Sequence, residues 1–420
     1  MASLSVDDCI HAIFTKHVFW KPRQYQIDAI RDICADDKHT LVVKGTGQGK
    51  TWVLLGAFLL RCGRGGVGIV VVPTIALGAS AARSAQKKLP RVWCLHVNTL
   101  TSLQQEKLLS MVSDVGLDKP ILIYISAERA TGDKWHPTIV EASKVGNIKF
   151  IGFDEVHTYY LQDFRQENRL LASRLVAPVL HAPATGLNLE LVPILALTAT
   201  LDATMLKCLQ ETILKVIFAS IHWGNDDGVM PRRNICMSMS LKDNMESVQR
   251  AADEVISSSP TGTLITYFNF AKDASKVEDC LDLPANCDSA ALVGEEGDVM
   301  KSAYVRELAR RTGESMRVRV IGATAAADTG LDVDTAVRGA RRGFAPNLAA
   351  ISQERGRIRQ LGDGDYRYGM FVSLTLAVPS KMLVVLLPVI CVFSFFCSWA
   401  LSNAYFTRST CSRMPSSCSW

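Results

Sequence analysis

Twelve cysteines (positions 9, 34, 62, 94, 208, 236, 280, 287, 391, 397, 411 and 418) contain no C-x-x-C pair and no zinc-ligand spacing, so no zinc site is expected. Thiols scattered in this way suit a reducing compartment. The N-terminus lacks the basic start of a secretory leader, because Asp7 and Asp8 stand where lysine or arginine is wanted; no signal sequence is expected. A large excess of one charge sign is also lacking. A net +5 permits a polyanionic partner without demanding one. What remains is a chain of 420 residues, 48% hydrophobic and 21% charged, long enough for two core-forming domains and a tail.

The rest of the chain is organised around residues 42–51, Val-Val-Lys-Gly-Thr-Gly-Gln-Gly-Lys-Thr. The apolar run 41–43 reads as a buried strand and 51–55 as the start of a helix. A Gly-rich turn between them lets successive backbone N–H groups face phosphate oxygens, with the helix N-terminus adding partial positive charge. In that arrangement Lys50 reaches the β/γ-phosphates and the Thr51 hydroxyl ligates Mg²⁺. The strict G-x-x-x-x-G-K-[ST] pattern is missed at one position, where Lys44 replaces the first glycine.

Residues 1–36 read as largely helical, with Pro22 separating two helices. Gln26, on the second, precedes Lys50 by 24 positions. Its amide can donate to and accept from an adenine edge at once, or simply belong to an amphipathic helix start. Farther on, the apolar runs 67–72, 121–126, 148–153 and 195–197 alternate with helical patterns. That alternation predicts an α/β fold with a parallel sheet and ligand groups at the carboxyl ends of its strands. The run 148–153 leads into Asp154-Glu155-Val156-His157. Here Asp154 would hold Mg²⁺ and Glu155 would orient and deprotonate the attacking water. His157 reads equally as a turn histidine.

A second compact segment begins near residue 226, with strands expected at 263–268 and 318–322 and a helix at 347–351. It has no phosphate loop of its own. Its arginine-rich stretch 353–360 reads either as a solvated basic helix or as the source of an arginine finger.

Together these stretches resemble a superfamily-2 helicase core of DEAD/DEAH type, and most closely its RecQ-like branch. Arg23-x-Tyr25-Gln26 resembles the adenine-recognising motif, and Gly45-Thr46-Gly47-Gln48-Gly49-Lys50-Thr51 the helicase form of the phosphate loop, which tolerates the missing glycine. Val71-Val72-Pro73-Thr74 sits where motif Ia belongs, and Tyr124-Ile125-Ser126-Ala127-Glu128-Arg129 is similar to Y-x-S-P-E-R with alanine for proline. Asp154-Glu155-Val156-His157 resembles DEAH, and Asp163-Phe164-Arg165 the end of the RecQ aromatic-rich loop. Thr198-Ala199-Thr200 is similar to motif III. Arg232-x-Asn234-Ile235 resembles the entry to the second lobe, Thr324 with Gly330 and Asp332 motif V, and Gln353-Glu354-x-Gly356-Arg357 motif VI.

The resemblance, over residues 18–365, implies two tandem RecA-like lobes, at 1–222 and 226–375. It implies ATP and Mg²⁺ as cofactors, with Arg23, Gln26, residues 45–51 and Asp332 binding the nucleotide. Lys50, Asp154, Glu155, His157 and Arg357 are the expected catalytic set. Thr198, Thr200 and residues 163–165 are expected to couple hydrolysis to nucleic acid. The implied activity is 3′-to-5′ unwinding of DNA in the nucleus, with RNA the less favoured strand. There are departures. Tyr159 and Tyr160 stand where the aromatic-rich loop has tryptophan, motif VI ends in Arg359-Gln360 rather than Gly-Arg, and the family's zinc-binding and winged-helix modules have no counterpart after residue 365.

The tail, 376–420, includes residues 382–401, which are uncharged and long enough to span ~30 Å of hydrocarbon. It reads as a membrane anchor, as a segment buried against the core, or as residues foreign to the evolved fold such as translated intron or a shifted frame. The abrupt change of composition favours the last.

Overall fold

The computed structural model describes residues 5–18, 21–45, 47–114, 117–161, 166–181, 191–224, 235–240, 245–293, 318–324, 333, 335–343, 350–351, 354, 357–358 and 366–371, all within one compact unit, Met1–Phe371. Those residues build two parallel-sheet RecA-like domains.

The first sheet contains β1 (Thr40–Val43), β2 (Gly66–Val72), β3 (Trp93–His96), β4 (Pro120–Ser126), β5 (Ile148–Phe153), β6 (Ile194–Thr198) and β7 (Ser220–Trp223), in the order β3-β4-β2-β5-β6-β1-β7. Every pairing is parallel. Helices cover both faces, so the central strands must be apolar throughout, and every residue of β1, β2 and β6 is buried. Alternation decides only which core each residue joins. Leu41, Val43, Val67, Ile69, Val71, Ile121, Ile123 and Ile125 enter one cluster; Val42, Val70, Val72, Leu122 and Tyr124 enter the other, with Trp52, Phe58 and Phe150. At Gly68 a Cβ would stand 2.7 Å from the Phe150 ring, so only glycine admits that ring to β2.

Three helices carry the N-terminal part of the site: α1 (Val6–His17), α2 (Gln24–Cys34) and α3 (Lys50–Cys62). Ser5 and Asp8 form a reciprocal capping box at the start of α1. Pro22 lies between α1 and α2, as the sequence predicts, and Arg31 ties the two with a two-pronged bond to Asp7 at 2.9 and 2.6 Å.

The second sheet contains β8 (Ile235–Ser240), β9 (Thr263–Tyr267), β10 (Asp288–Leu292), β11 (Val318–Ala323), β12 (Ala336–Arg342) and β13 (Tyr366–Phe371), ordered β10-β11-β9-β12-β13-β8 and parallel throughout. Buried Arg319, on β11, donates to the carbonyls of Gly262 (2.6 Å), Pro260 (3.2 Å), Val255 (3.4 Å) and Ser259 (2.5 Å). Val255 lies in the last turn of helix Met245–Ser258, and its carbonyl also accepts from the Ser259 N–H at 3.0 Å, so Arg319 ties that helix end to the loop leading into β9. Among the described residues no helix is long and apolar enough to cross a membrane; residues 382–401 lie outside them.

Candidate nucleotide site

β1 ends at Val43, and the Lys44 N–H still donates to the Thr198 carbonyl of β6 at 3.1 Å. The phosphate loop leaves the sheet there. Gly47 and Gly49 both take left-handed backbone (φ 77° and 91°), and Gly49 caps α3. A Cβ on Gly49 would lie 2.8 Å from Gln26 Nε2, so glycine is needed for conformation and for space. The Lys50 ammonium donates to the carbonyls of Lys44 (2.7 Å) and Gly45 (3.3 Å), which holds it over the loop. Thr51 is exposed in the first turn of α3, and Thr46 lies outside the described residues.

Gln26 is 1% exposed. Its Oε1 accepts from the Arg23 N–H at 2.8 Å, and its Nε2 donates to the Gly49 carbonyl at 3.0 Å. Arg23 donates to the Gln48 side chain, and the Tyr25 hydroxyl to the Gln48 carbonyl at 2.7 Å. α2 thus grips the loop at two consecutive residues. Lys44, which the sequence marks only as a departure from the strict pattern, has a structural part in this. Its amine lies 4.6 Å above the Tyr25 ring and donates to the carbonyl of Trp223, the last residue of β7.

The acids come from the end of β5. Asp154 N–H donates to Val71 O of β2 at 3.0 Å, and Val156 N–H to Leu197 O of β6 at 2.9 Å. The main chain is therefore pinned on both sides of Glu155, which takes φ 45°. A left-handed non-glycine residue costs on the order of 1–3 kcal/mol and concentrates at functional sites. Burial and the Glu155 carboxylate push Asp154 up to about 7, with Lys50 acting against them. Burial opposes ionisation of Glu155 as well, but the charges of Lys50 and Arg357 and the Ala199 N–H hold it below its usual value. Glu155 is the ionised member, and one of its oxygens, Oε2, is buried without accepting a hydrogen bond. A partly buried carboxylate so placed suits a base awaiting a donor.

His157 is fully buried, and burial lowers its pKa, which keeps it neutral. Its Nδ1 lies 2.7 Å from Thr198 Oγ1 and 3.5 Å from Glu155 Oε2. The Thr198 hydroxyl donates to Thr200 O (2.9 Å) and accepts from Thr200 N–H (3.2 Å). With that hydroxyl's proton committed, Nδ1 of His157 is the donor toward Thr198. His157 therefore links the acid turn to Thr198 at the end of β6.

From the second domain, Arg357 acts on Glu155 by its charge, and its backbone N–H donates to Glu354 O at 3.1 Å. Glu354 is 1% exposed and pairs with Arg341, whose second nitrogen donates to Asn269 Oδ1 at 2.6 Å. Asp163, Phe164, Arg165, Arg232, Asn234, Gly330, Asp332, Gln353, Gly356, Arg359 and Gln360 lie outside the described residues. Among the described residues no cluster of His, Cys, Asp and Glu forms a ready-made metal cage. The Thr51 hydroxyl and Asp154 carboxyl are nevertheless the hard oxygen donors that suit Mg²⁺ bound together with phosphates. Asp154, raised by burial beside a second acid, fits a site where added positive charge restores the carboxylate.

Residues 23–208 match the family model described as DEAD/DEAH box helicase. The "ATP-dependent DNA helicase Q5" of Rattus norvegicus is 30% identical over 178 residues, which are 40% of this chain and 17% of that protein's length. Among solved structures, Mss116p (NTE and C-tail double deletion) bound to ssRNA and AMP-PNP matches with a TM-score of 0.66 at 15% identity, covering 87% of this chain and 72% of that one. The Mycobacterium smegmatis helicase Lhr bound to ssDNA and AMP-PNP matches with a TM-score of 0.62 at 18% identity, covering 87% of this chain and 47% of that one. At these identities the structural likeness concerns the fold.

Proposed function

We propose that this chain, whose residues 23–208 match the DEAD/DEAH box helicase family model, is an ATP-driven DNA translocase of RecQ-like type that separates strands in the 3′-to-5′ direction. The observation that carries the proposal is the convergence on Glu155: the charges of Lys50 from the phosphate loop and Arg357 from the second domain both favour its carboxylate. The likeness to the rat DNA helicase supports the choice of DNA. A nuclear compartment and a task in DNA repair or recombination go with that choice.

Each residue then has a part. Gln26 and Arg23 would recognise the base, and their bonds to Gly49 and Gln48 would relay its presence to the loop. Lys50 exchanges the loop carbonyls for phosphate oxygens. Thr51 and Asp154 would hold Mg²⁺, which would supply positive charge to the phosphates. Glu155 orients water and accepts its proton, and the charge of Arg357 offsets the negative charge that develops on the phosphoryl group. His157, Thr198 and Thr200 join the hydrolytic turn to the strand-bearing side of the domain. Thr46, Asp332 and residues 163–165 would complete the nucleotide and coupling contacts.

A second reading is binding of ATP and nucleic acid with little or no unwinding, motivated by Arg359-Gln360 where motif VI ends in Gly-Arg. Partial duplexes of DNA or RNA with a 3′ or a 5′ single-stranded overhang separate the two. ATP-dependent separation confined to the DNA duplex with the 3′ overhang is expected. ATP turnover without separation would favour the second reading, and separation of RNA alone would overturn the choice of DNA.

A further inference from the structure

In the second domain one large aromatic side chain breaks two local rules at once. Phe270 is 62% exposed, although Phe268, two residues earlier, is 2% exposed. It also occupies the N-cap of helix Ala271–Cys280 and so supplies no side-chain acceptor where Ser, Thr, Asp or Asn normally serves. Neither burial nor capping accounts for phenylalanine here.

Its surroundings are fixed. The Phe268 N–H donates to Ala323 O at 2.8 Å, and the Phe270 carbonyl accepts from Asp273 and Ala274 N–H groups at 3.1 and 3.2 Å. Between them, Asn269 is held by Arg341 at 2.6 Å. The ring therefore stands on an anchored turn, and the Lys272 amine lies 5.9 Å from its centroid. β9 runs down the middle of its sheet, and Phe270 follows its carboxyl end, the edge where open parallel sheets take ligands.

Trp93 offers a contrast. It is 44% exposed with Lys119 5.7 Å from its ring, yet it begins β3 on the sheet's rim, at the opposite, amino end of the strands. An exposed aromatic with a lysine is not enough; its place at the ligand edge is what sets Phe270 apart.

We infer that Phe270 is a stacking platform for a base of the single strand, with Lys272 drawn to the adjoining phosphate. This rests on the proposal that the chain works on nucleic acid. A flat apolar face beside a cation binds any base by stacking, which gives sequence-tolerant grip to a protein that must release and rebind at each step. The chemistry is shared by DNA and RNA, since both present the same π-faces.

The test is equilibrium binding of the full-length chain to fluorescein-labelled oligothymidylate, oligouridylate and an abasic strand of equal length, read by anisotropy. Phe270→Ala should weaken binding to the two base-bearing strands by about tenfold and leave the abasic strand unaffected. Phe270→Trp should retain affinity and show tryptophan quenching on addition of oligothymidylate beyond that of the parent chain. A change in only one base-bearing strand would identify DNA or RNA as the occupant. Tight binding by the parent with no loss in Phe270→Ala, or equal loss on the abasic strand, would overturn the stacking contact alone. Failure of the parent to bind any strand would overturn the nucleic-acid proposal, and the contact with it.

Discussion

The two domains share a parallel-sheet plan but use buried charge differently. In the first, buried polar groups converge on one place: His157, Thr198 and Thr200 are interlocked beside Asp154 and Glu155, and Gln26 closes on the phosphate loop. In the second, arginines hold the fold. Arg319 satisfies four carbonyls, Arg341 neutralises Glu354, and Arg338 pairs with Glu254. A run of arginines in a lobe of this kind is therefore not a measure of its nucleic-acid surface. Arg357 is set apart from these three because its charge bears on Glu155, the carboxylate proposed to drive hydrolysis.

The sharpest way to break that contrast is to remove one arginine of each kind. Arg357→Ala should lower ATP turnover by ~10³-fold, as loss of a finger does, while the melting temperature stays near that of the parent. Arg341→Ala should do the reverse and destabilise the second domain by roughly 3–5 kcal/mol in urea unfolding, because buried Glu354 loses the guanidinium that neutralises it. Adding Glu354→Gln to the Arg341→Ala chain should recover part of that loss, since the buried charge is then gone. If Arg357→Ala melts early and Arg341→Ala does not, the division of labour is wrong.

A smaller effect is expected at Gly49→Ala. The added Cβ meets Gln26 Nε2 at 2.8 Å and sits at φ 91°, so the chain should lose about 1–2 kcal/mol of stability and bind ATP more weakly in calorimetry. Unchanged ATP affinity would show that the grip of α2 on the loop is dispensable.

The smallest concerns pH. Burial favours the neutral form of Asp32, yet the Ser220 hydroxyl, Lys38 and His222 hold it below its ordinary 3.8. A carboxyl lowered in the folded state contributes stability above its unfolded value, and that contribution fades as acid takes the pH down through the folded value. Acid unfolding should therefore draw on this cluster only below about pH 4, and Asp32→Asn should flatten that limb alone. Because the cluster ties α2 to β7, a shift of the limb near neutrality would contradict the assignment.

Legibility in the sequence followed burial. β1, β2, β4, β5 and β6 stand out as apolar runs because helices cover both faces of the sheet. β3 and β7 do not: β3 is a four-residue rim strand led by exposed Trp93, and Ser220 and His222 of β7 spend their polarity on Asp32, which lies far away in sequence. In the second sheet β9 and β11 are evident as apolar runs, whereas β12 carries Arg338, Arg341 and Arg342, and the partner of Arg341, Glu354, lies outside the strand. At the site, Gly49-Lys50-Thr51 and Asp154-Glu155 are local and could be read directly. The bridge from His157 to Thr198 spans 41 positions, and the hold of Gln26 on Gly49 spans 23; no local pattern encodes either.

The central claim is that Glu155 drives ATP hydrolysis that nucleic acid switches on. It is tested most directly by the ATP turnover of the full-length chain with and without single-stranded DNA, beside Glu155→Gln. Strong stimulation by DNA, abolished in Glu155→Gln while ATP still binds, is the predicted result. Turnover that ignores DNA, or that survives Glu155→Gln, would contradict it.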